Sequence, residues 1–285
     1  MSVKGRLILI GGNEDKGTVQ HEDSHLEFIE RGILARVLRE SGGEKATIVI
    51  IPTASQIPKE VGENYIQAFA QLGCQKVHVM DIRKREESES EANLELIKKA
   101  NCIMFSGGNQ SKITEKIGGT TLHKLLMRRY EEDDFVIAGT SAGAMCMSEE
   151  MIAGGSSKES LFKGAVRMSR GMAFIPELIV DSHFIQRGRF GRLAEAVAKF
   201  PDLLGVGLAE DTGLVIKNCN TFEIIGSGMV ILFDPSKLKH NNEKVLSLGE
   251  PMSLSNLKTH VLSNGDRFNI RKRKLKVLPL DSPFV

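Results

Sequence analysis

From residue 7 to residue 147 the chain alternates short unbroken apolar runs with longer segments of helical apolar spacing, and this rhythm limits the folds open to it. Runs at 7–10, 46–51, 77–80, 102–105 and 135–138 read as strands. The segments at about 26–38, 63–72, 92–100, 121–129 and 141–147 read as helices. A strand that is apolar at every position must be buried on both faces, which implies a parallel sheet with helices on either side. Right-handed crossovers then give a doubly wound, mostly parallel α/β sandwich. Sheets of this kind bind ligands beyond the carboxyl ends of their strands. The pairs Gly11-Gly12 and Gly107-Gly108 and the turn at Gly139 all fall at that edge.

After about residue 205 the texture changes. Short runs at 206–208, 214–216, 221–225, 229–233, 245–248, 259–262, 267–270 and 275–278 are separated by turn residues such as Asn264-Gly265-Asp266. They predict an antiparallel extension rather than further βα units. No low-complexity linker interrupts the chain, so residues 1–285 read as one domain, an α/β core over 1–204 and a β-rich part over 205–285. The block Arg271-Lys272-Arg273-Lys274 reads as a solvated strand edge guarded by charge.

Composition removes several function classes. With 38 basic and 36 acidic side chains the net charge is +2, which makes no electrostatic case for nucleic acid. There is no Trp and there are 2 Tyr, so a base-stacking platform is poorly supplied. Cys74, Cys102, Cys146 and Cys219 form no CxxC pair, so they read as small hydrophobes, and neither a metal nor a cofactor is expected. The run at 7–10 is too short for a signal-peptide core or a membrane span, so a cytoplasmic protein with no membrane partner is expected. The loop from Gly11 to Gly17 has neither Walker spacing nor GxGxxG, and it reads as a sheet-edge loop in which Lys16 has no assigned role.

The segment Phe135-Val-Ile-Ala-Gly139-Thr140-Ser141-Ala142-Gly143-Ala144 is the most informative. Strand, GxSxG and helix in succession are the context of a nucleophile elbow. A helix starting at Ser141 would aim its positive end at the serine oxygen, and the Ala142 amide would form half of an oxyanion hole. A serine needs a base. His21, His25 and His123 read as surface residues and His78 as core. His183 closes the apolar run 178–182 beside Asp181 and is followed by Arg187, Arg189 and Arg192. Those arginines suit bidentate carboxylate binding, or a solvated helix start. His260 could instead serve an ordinary α/β-hydrolase esterase. As acid, Glu149, Glu150, Glu159 and Asp181 are not separable on the residues alone.

Four pieces carry a family resemblance. They are Ile10-Gly-Gly-Asn-Glu-Asp15-Lys16, Phe105-Ser-Gly-Gly-Asn-Gln110, Gly139-Thr-Ser-Ala-Gly-Ala144 and Asp181-Ser-His-Phe-Ile-Gln-Arg-Gly-Arg189-Phe-Gly-Arg192. Together they resemble cyanophycinase, of a serine exopeptidase family that includes aspartyl dipeptidase (peptidase E). The resemblance implies a flavodoxin-like sheet related to class I glutamine amidotransferases. It implies Ser141 as nucleophile, His183 as base, Glu159 as acid and Gly108 as the second oxyanion donor. It assigns Gln110, Asp181, Ser182, Arg187, Arg189 and Arg192 to a substrate pocket. The implied substrate is cyanophycin, a poly-aspartate with arginine on each β-carboxyl, cut at β-linked aspartyl backbone bonds to β-aspartyl-arginine dipeptides. A homodimer is implied too. Two positions depart from the family: Ser182 replaces Gln and Asn109 replaces Asp. A buried hydrogen bond left unmade costs about 1–3 kcal/mol, enough to alter substrate preference. An isoaspartyl or aspartyl dipeptidase acting on small peptides, and a non-catalytic binding module on the same scaffold, are the alternatives.

Overall fold

The computed structural model describes residues 3–17, 27–155 and 159–283. Expectations at His21, His25, Leu26, Ser156 and Ser157 lie outside the described residues. In chain order the first elements are β1 (Arg6–Ile10), α1 (Phe28–Arg31), α2 (Ile33–Glu40), β2 (Ile48–Ile51), α3 (Pro58–Gln71), β3 (Val77–Val79), α4 (Glu91–Lys99) and β4 (Cys102–Phe105). Next come α5 (Gln110–Ile117), α6 (Thr121–Glu132), β5 (Val136–Thr140), α7 (Ala142–Met145), β6 (Glu150–Gly155), β7 (Val166–Arg170), β8 (Leu178–Asp181) and α8 (Phe190–Lys199). The remaining strands are β9 (Leu204–Leu208), β10 (Thr212–Lys217), β11 (Thr221–Gly226), β12 (Val230–Asp234), β13 (His240–Asn241), β14 (Leu254–Ser255), β15 (Lys258–Leu262), β16 (Arg267–Asn269) and β17 (Lys274–Lys276).

The large sheet has the order β17-β16-β11-β10-β1-β5-β4-β2-β3. Strands β1, β5, β4, β2 and β3 run parallel. β10, β11, β16 and β17 extend the sheet by antiparallel pairing from β1 outward. The unbroken apolar runs are explained by the two covered faces. Leu7 and Leu9 pack with Ile103, Phe105, Leu122 and Leu126 on one side. Ile8 and Ile10 pack with Ile33, Leu34, Val37, Tyr65 and Phe69 on the other. The architecture is the expected mixed α/β fold with a β-rich C-terminal region.

A second sheet of order β15-β12-β9-β8 packs against α8 through Phe184, Leu193, Val197 and Phe233. Here the sequence reading needs correction. β9 runs parallel to β8, with Asp181 opposite Gly207, so β8, α8 and β9 form one more βαβ unit. The change of texture assigned to residue 205 therefore falls inside that unit. The helix expected over 26–38 is interrupted at Gly32, which is extended at φ −62°, ψ 153°. The helix after Ser141 is a single turn, shorter than 141–147. The strand expected at 245–248 is absent; Val245 closes a 3₁₀ turn, and its side chain is 84% exposed. His78 is exposed because β3 is an edge strand with no second neighbour. His123 is half-buried, accepting the Gly119 amide and meeting the Met172 carbonyl at 2.9 Å. No described helix is long and apolar enough to cross a membrane.

Candidate active site

The parallel strand β5 lies between β1 and β4, and the chain leaves its carboxyl end at Ser141. Ser141 has φ 51° and ψ −109°, a backbone state that a non-glycine residue holds only under constraint. Its amide is fixed by the Ile10 carbonyl of β1 at 2.8 Å. The glycines of GxSxG are demanded by crowding. A Cβ on Gly139 would overlap the Gly143 carbonyl, and one on Gly143 would overlap the Phe105 carbonyl of β4. Because α7 is one turn long, its macrodipole adds little, and what the elbow offers an anion is individual amides.

His183 lies two residues beyond β8, also at positive φ (47°), with its amide held by the Gly11 carbonyl at 2.8 Å. Its Nε2 is 2.9 Å from Ser141 Oγ. Its Nδ1 is 2.5 Å from Glu210 Oε1. A carboxylate at Nδ1 takes that N–H, so Nε2 is left as the acceptor facing the serine hydroxyl. Burial pushes the imidazole below its usual value, Glu210 partly opposes this, and the nearby Arg187 charge adds to the lowering. That direction favours the neutral ring, the form a base requires.

The carboxylate on His183 is Glu210, not the expected Glu159. Glu159 is exposed in a turn. Glu149 and Glu150 both pair with Arg170. Glu210 is positioned by register. β8 and β9 are parallel neighbours, and His183 and Glu210 each lie two residues past their strand ends, so the side chains meet. A sequence signal existed: the run 204–208 closed by Ala209-Glu210 echoes the run 178–181 closed by Ser182-His183. Reading 206–208 as the start of an antiparallel extension concealed it.

The loop after β1 touches each part of this chain. A Cβ on Gly12 (φ 109°) would overlap the His183 ring. The Gly12 carbonyl accepts the Asp211 amide at 2.9 Å. Asn13 donates through Nδ2 to Glu210 Oε2 at 3.1 Å. Glu14, 1% exposed, accepts Thr140 Oγ1 on Oε2 at 2.6 Å and the Tyr65 hydroxyl on Oε1. Burial alone would raise the Glu14 carboxyl, but Lys16, Thr140 and Tyr65 outweigh it and hold it below the usual carboxylate range.

An open cleft of about 740 Å³ surrounds the serine, lined among others by Gly12, Asn13, Lys16, Tyr65, Gly107, Gly108, Arg187 and Glu210. Of the three arginines expected to bind substrate, Arg187 lines it. Arg189 and Arg192 turn inward to Asp181, which is fully buried. Arg192 Nε meets Asp181 Oδ2 at 2.8 Å, and Arg189 Nη1 meets Oδ1 at 3.1 Å and the Ser182 carbonyl at 2.7 Å. These three residues brace the His183 turn from below, so the expected carboxylate clamp reduces to Arg187. Gln110 is likewise engaged, donating Nε2 to the Ile152 carbonyl at 2.7 Å. Ser182 is buried, with Oγ 3.4 Å from Ser141 Oγ and donating to Met145 Sδ at 3.3 Å. Asn109 caps α5 by accepting the Ser111 amide at 2.9 Å, which an aspartate would also do. His260, the alternative base, packs on Phe268 with ring centroids 5.9 Å apart.

The family model for peptidase family S51 matches residues 7–224. A cyanophycinase from Trichormus variabilis is 38% identical over 278 residues, covering 98% of this chain and 89% of the relative. A cyanophycinase from Geminocystis herdmanii is 36% identical over 267 residues, covering 94% of each chain. A crystal structure of a peptidase from an acI-B1 Actinobacterium shares the fold, with TM-score 0.63 and 21% identity, covering 94% of this chain and 98% of that one. The chain belongs to peptidase family S51 and is a serine-type hydrolase.

Proposed function

We propose that the protein is an exopeptidase that shortens cyanophycin from its end, releasing β-Asp-Arg dipeptides through an acyl-enzyme. The observation that carries this is the hydrogen-bonded chain Ser141–His183–Glu210 at the floor of a cleft that also holds the Arg187 guanidinium. Full-length similarity to two relatives named cyanophycinase supports the substrate. Ser141 Oγ attacks the scissile carbonyl while His183 Nε2 takes its proton. Glu210 stabilises the imidazolium. The amides of Gly108 and Ala142 receive the oxyanion. The imidazolium then protonates the departing amine, and water, deprotonated by the same ring, releases the acyl group. Arg187 holds a substrate carboxylate, as a guanidinium does well by paired donors. A cytoplasmic homodimer belongs to the same proposal, carried over from the family.

The test is digestion of purified cyanophycin by wild type and Ser141→Ala, with products identified by mass spectrometry. β-Asp-Arg from wild type, with at least a 10³-fold slower rate in the variant, is the expected result. Wild type that leaves the polymer intact but cleaves small β-aspartyl peptides would replace the substrate and keep the mechanism. Activity retained in Ser141→Ala would overturn the mechanism.

A further inference from the structure

The two acidic side chains that line the cleft are already engaged, whereas its two cations, Lys16 and Arg187, keep donors for a ligand. Glu210 is occupied by His183 and Asn13. Glu14 is occupied by Thr140, Tyr65 and Lys16. Arg187 makes no ion pair among the described residues. Lys16 is held in one place from three sides. Its Nζ meets Glu14 Oε1 at 3.1 Å and the Glu14 carbonyl at 3.2 Å, and it stands 5.2 Å above the Tyr65 ring. An ammonium has three donors, so one remains after these two hydrogen bonds. Its side chain is 25% exposed, at the cleft.

An anchored ammonium of this sort loses little freedom when a ligand arrives, which favours binding. We propose that Lys16 is a specificity-determining residue, forming with Arg187 a two-point site for a substrate that carries two carboxylates. The Lys16 ammonium donates its remaining N–H to one substrate carboxylate, and Arg187 takes the other. A β-aspartyl-arginine unit at the end of a chain has this chemistry, with one carboxylate on the aspartyl residue and one on the arginine. Glu14 acts on Lys16 by fixing it. The inference rests on the proposed β-aspartyl exopeptidase activity and deepens it by naming a second contact.

The experiment uses short oligomers of β-Asp-Arg units with the terminal carboxylates free, or with one or the other amidated. Wild type, Lys16→Met, Lys16→Arg and the double variant Glu14→Gln/Lys16→Met are compared by kcat and KM. The double variant removes the buried carboxylate that Lys16→Met would strand, so its result does not depend on that penalty. A charge-assisted hydrogen bond lost from binding predicts about a 10- to 100-fold rise in KM for Lys16→Met and for the double variant, with the larger part of kcat retained. Lys16→Arg recovers most of the loss. Amidating the carboxylate that Lys16 holds raises wild-type KM by a similar factor, and the two losses do not add when combined, as contacting groups require. Unchanged KM in both Met variants, or losses that add fully with either amide, overturns the inference while the peptidase reading stands. A folded wild type that cleaves none of the oligomers overturns both.

Discussion

The two sides of the site are built differently. Ser141 comes from β5 in the middle of the large parallel sheet, and its conformation is enforced by close packing, with Gly139 and Gly143 leaving no room for a Cβ. His183 and Glu210 come from β8 and β9 of the second sheet and are held by polar contacts, from the Gly11 carbonyl to the Asn13 amide and Asp181 below. The end of β1 and the loop that follows join the two, since Ile10 fixes Ser141 and Gly11 fixes His183. A nucleophile in a strained turn needs a rigid surrounding that backbone packing supplies. A base that alternates between neutral and charged forms needs partners that respond to charge, and hydrogen-bonded carboxylates supply those. The nucleophile side should therefore be sensitive to volume and the base side to charge.

The largest effect is expected from Glu210→Gln, which preserves volume and removes charge. Loss of the carboxylate behind the catalytic imidazole should lower kcat by about 10⁴-fold, in line with the serine-protease template. The pH profile gives a second reading. Glu210 raises the His183 pKa, against burial, so its removal lowers that pKa further. In the proposed mechanism His183 works in its neutral form, so the acid limb of kcat/KM should move to lower pH even as the rate falls. Glu159→Gln should leave kcat/KM within about twofold, as surface substitutions usually do. Equal losses from the two glutamates would break the comparison by restoring Glu159 as the acid.

The unequal legibility of the two sides has the same origin. The nucleophile side is written in local sequence, because an apolar strand, a crowded turn and small residues are contiguous from Phe135 to Ala144. His183 stands out in sequence by its position after an apolar run. Glu210 does not, because it reaches His183 only through the parallel pairing of β8 with β9, and pairing partners are not local information. The arginines were misjudged for a related reason. Arg189 and Arg192 look like surface cations until β8 places Asp181 in the interior, where a carboxylate must be paired. Glu14 and Lys16 lie in one of the pieces that carry the resemblance, but no role for them is readable there, since the Glu14 partners Thr140 and Tyr65 lie on distant elements.

On the nucleophile side the sharper test is Gly143→Ala. One methyl group has to enter space held by the Phe105 carbonyl of β4, a backbone group that cannot swing aside as a flexible side chain would. Overpacking of this kind costs about 1–3 kcal/mol. A shift of the elbow of well under an ångström is expected to lower kcat by about 10²-fold, since misplacement of that order is enough. Thermal melting and kcat should fall together, and the acid limb should stay where it is because Glu210, Arg187 and Arg189, the charges that bear on His183, lie off the elbow. A variant that keeps wild-type melting and activity would show that the elbow yields, and the contrast between packed and polar sides would fail.

The smallest effect separates charge from contact on the base side. Arg187 lowers the His183 pKa at a distance while lining the substrate cleft. Arg187→Leu should raise that pKa toward its ordinary value, so the acid limb of kcat moves to higher pH, and at saturating substrate the loss is greater at pH 6 than at pH 8. Arg187→Lys should keep the limb near its wild-type position. Because Arg187 is exposed, its influence passes partly through solvent and is open to screening, with a Debye length of about 3 Å in 1 M salt. High salt should accordingly carry the wild-type limb toward that of Arg187→Leu and leave the variant's nearly still. The Glu210 contact is direct and half-buried, so the same salt should not reproduce the Glu210→Gln profile. If salt shifted the limb equally in wild type and Arg187→Leu, the long-range contribution would have to come from other charges, and Arg187 would act on substrate alone.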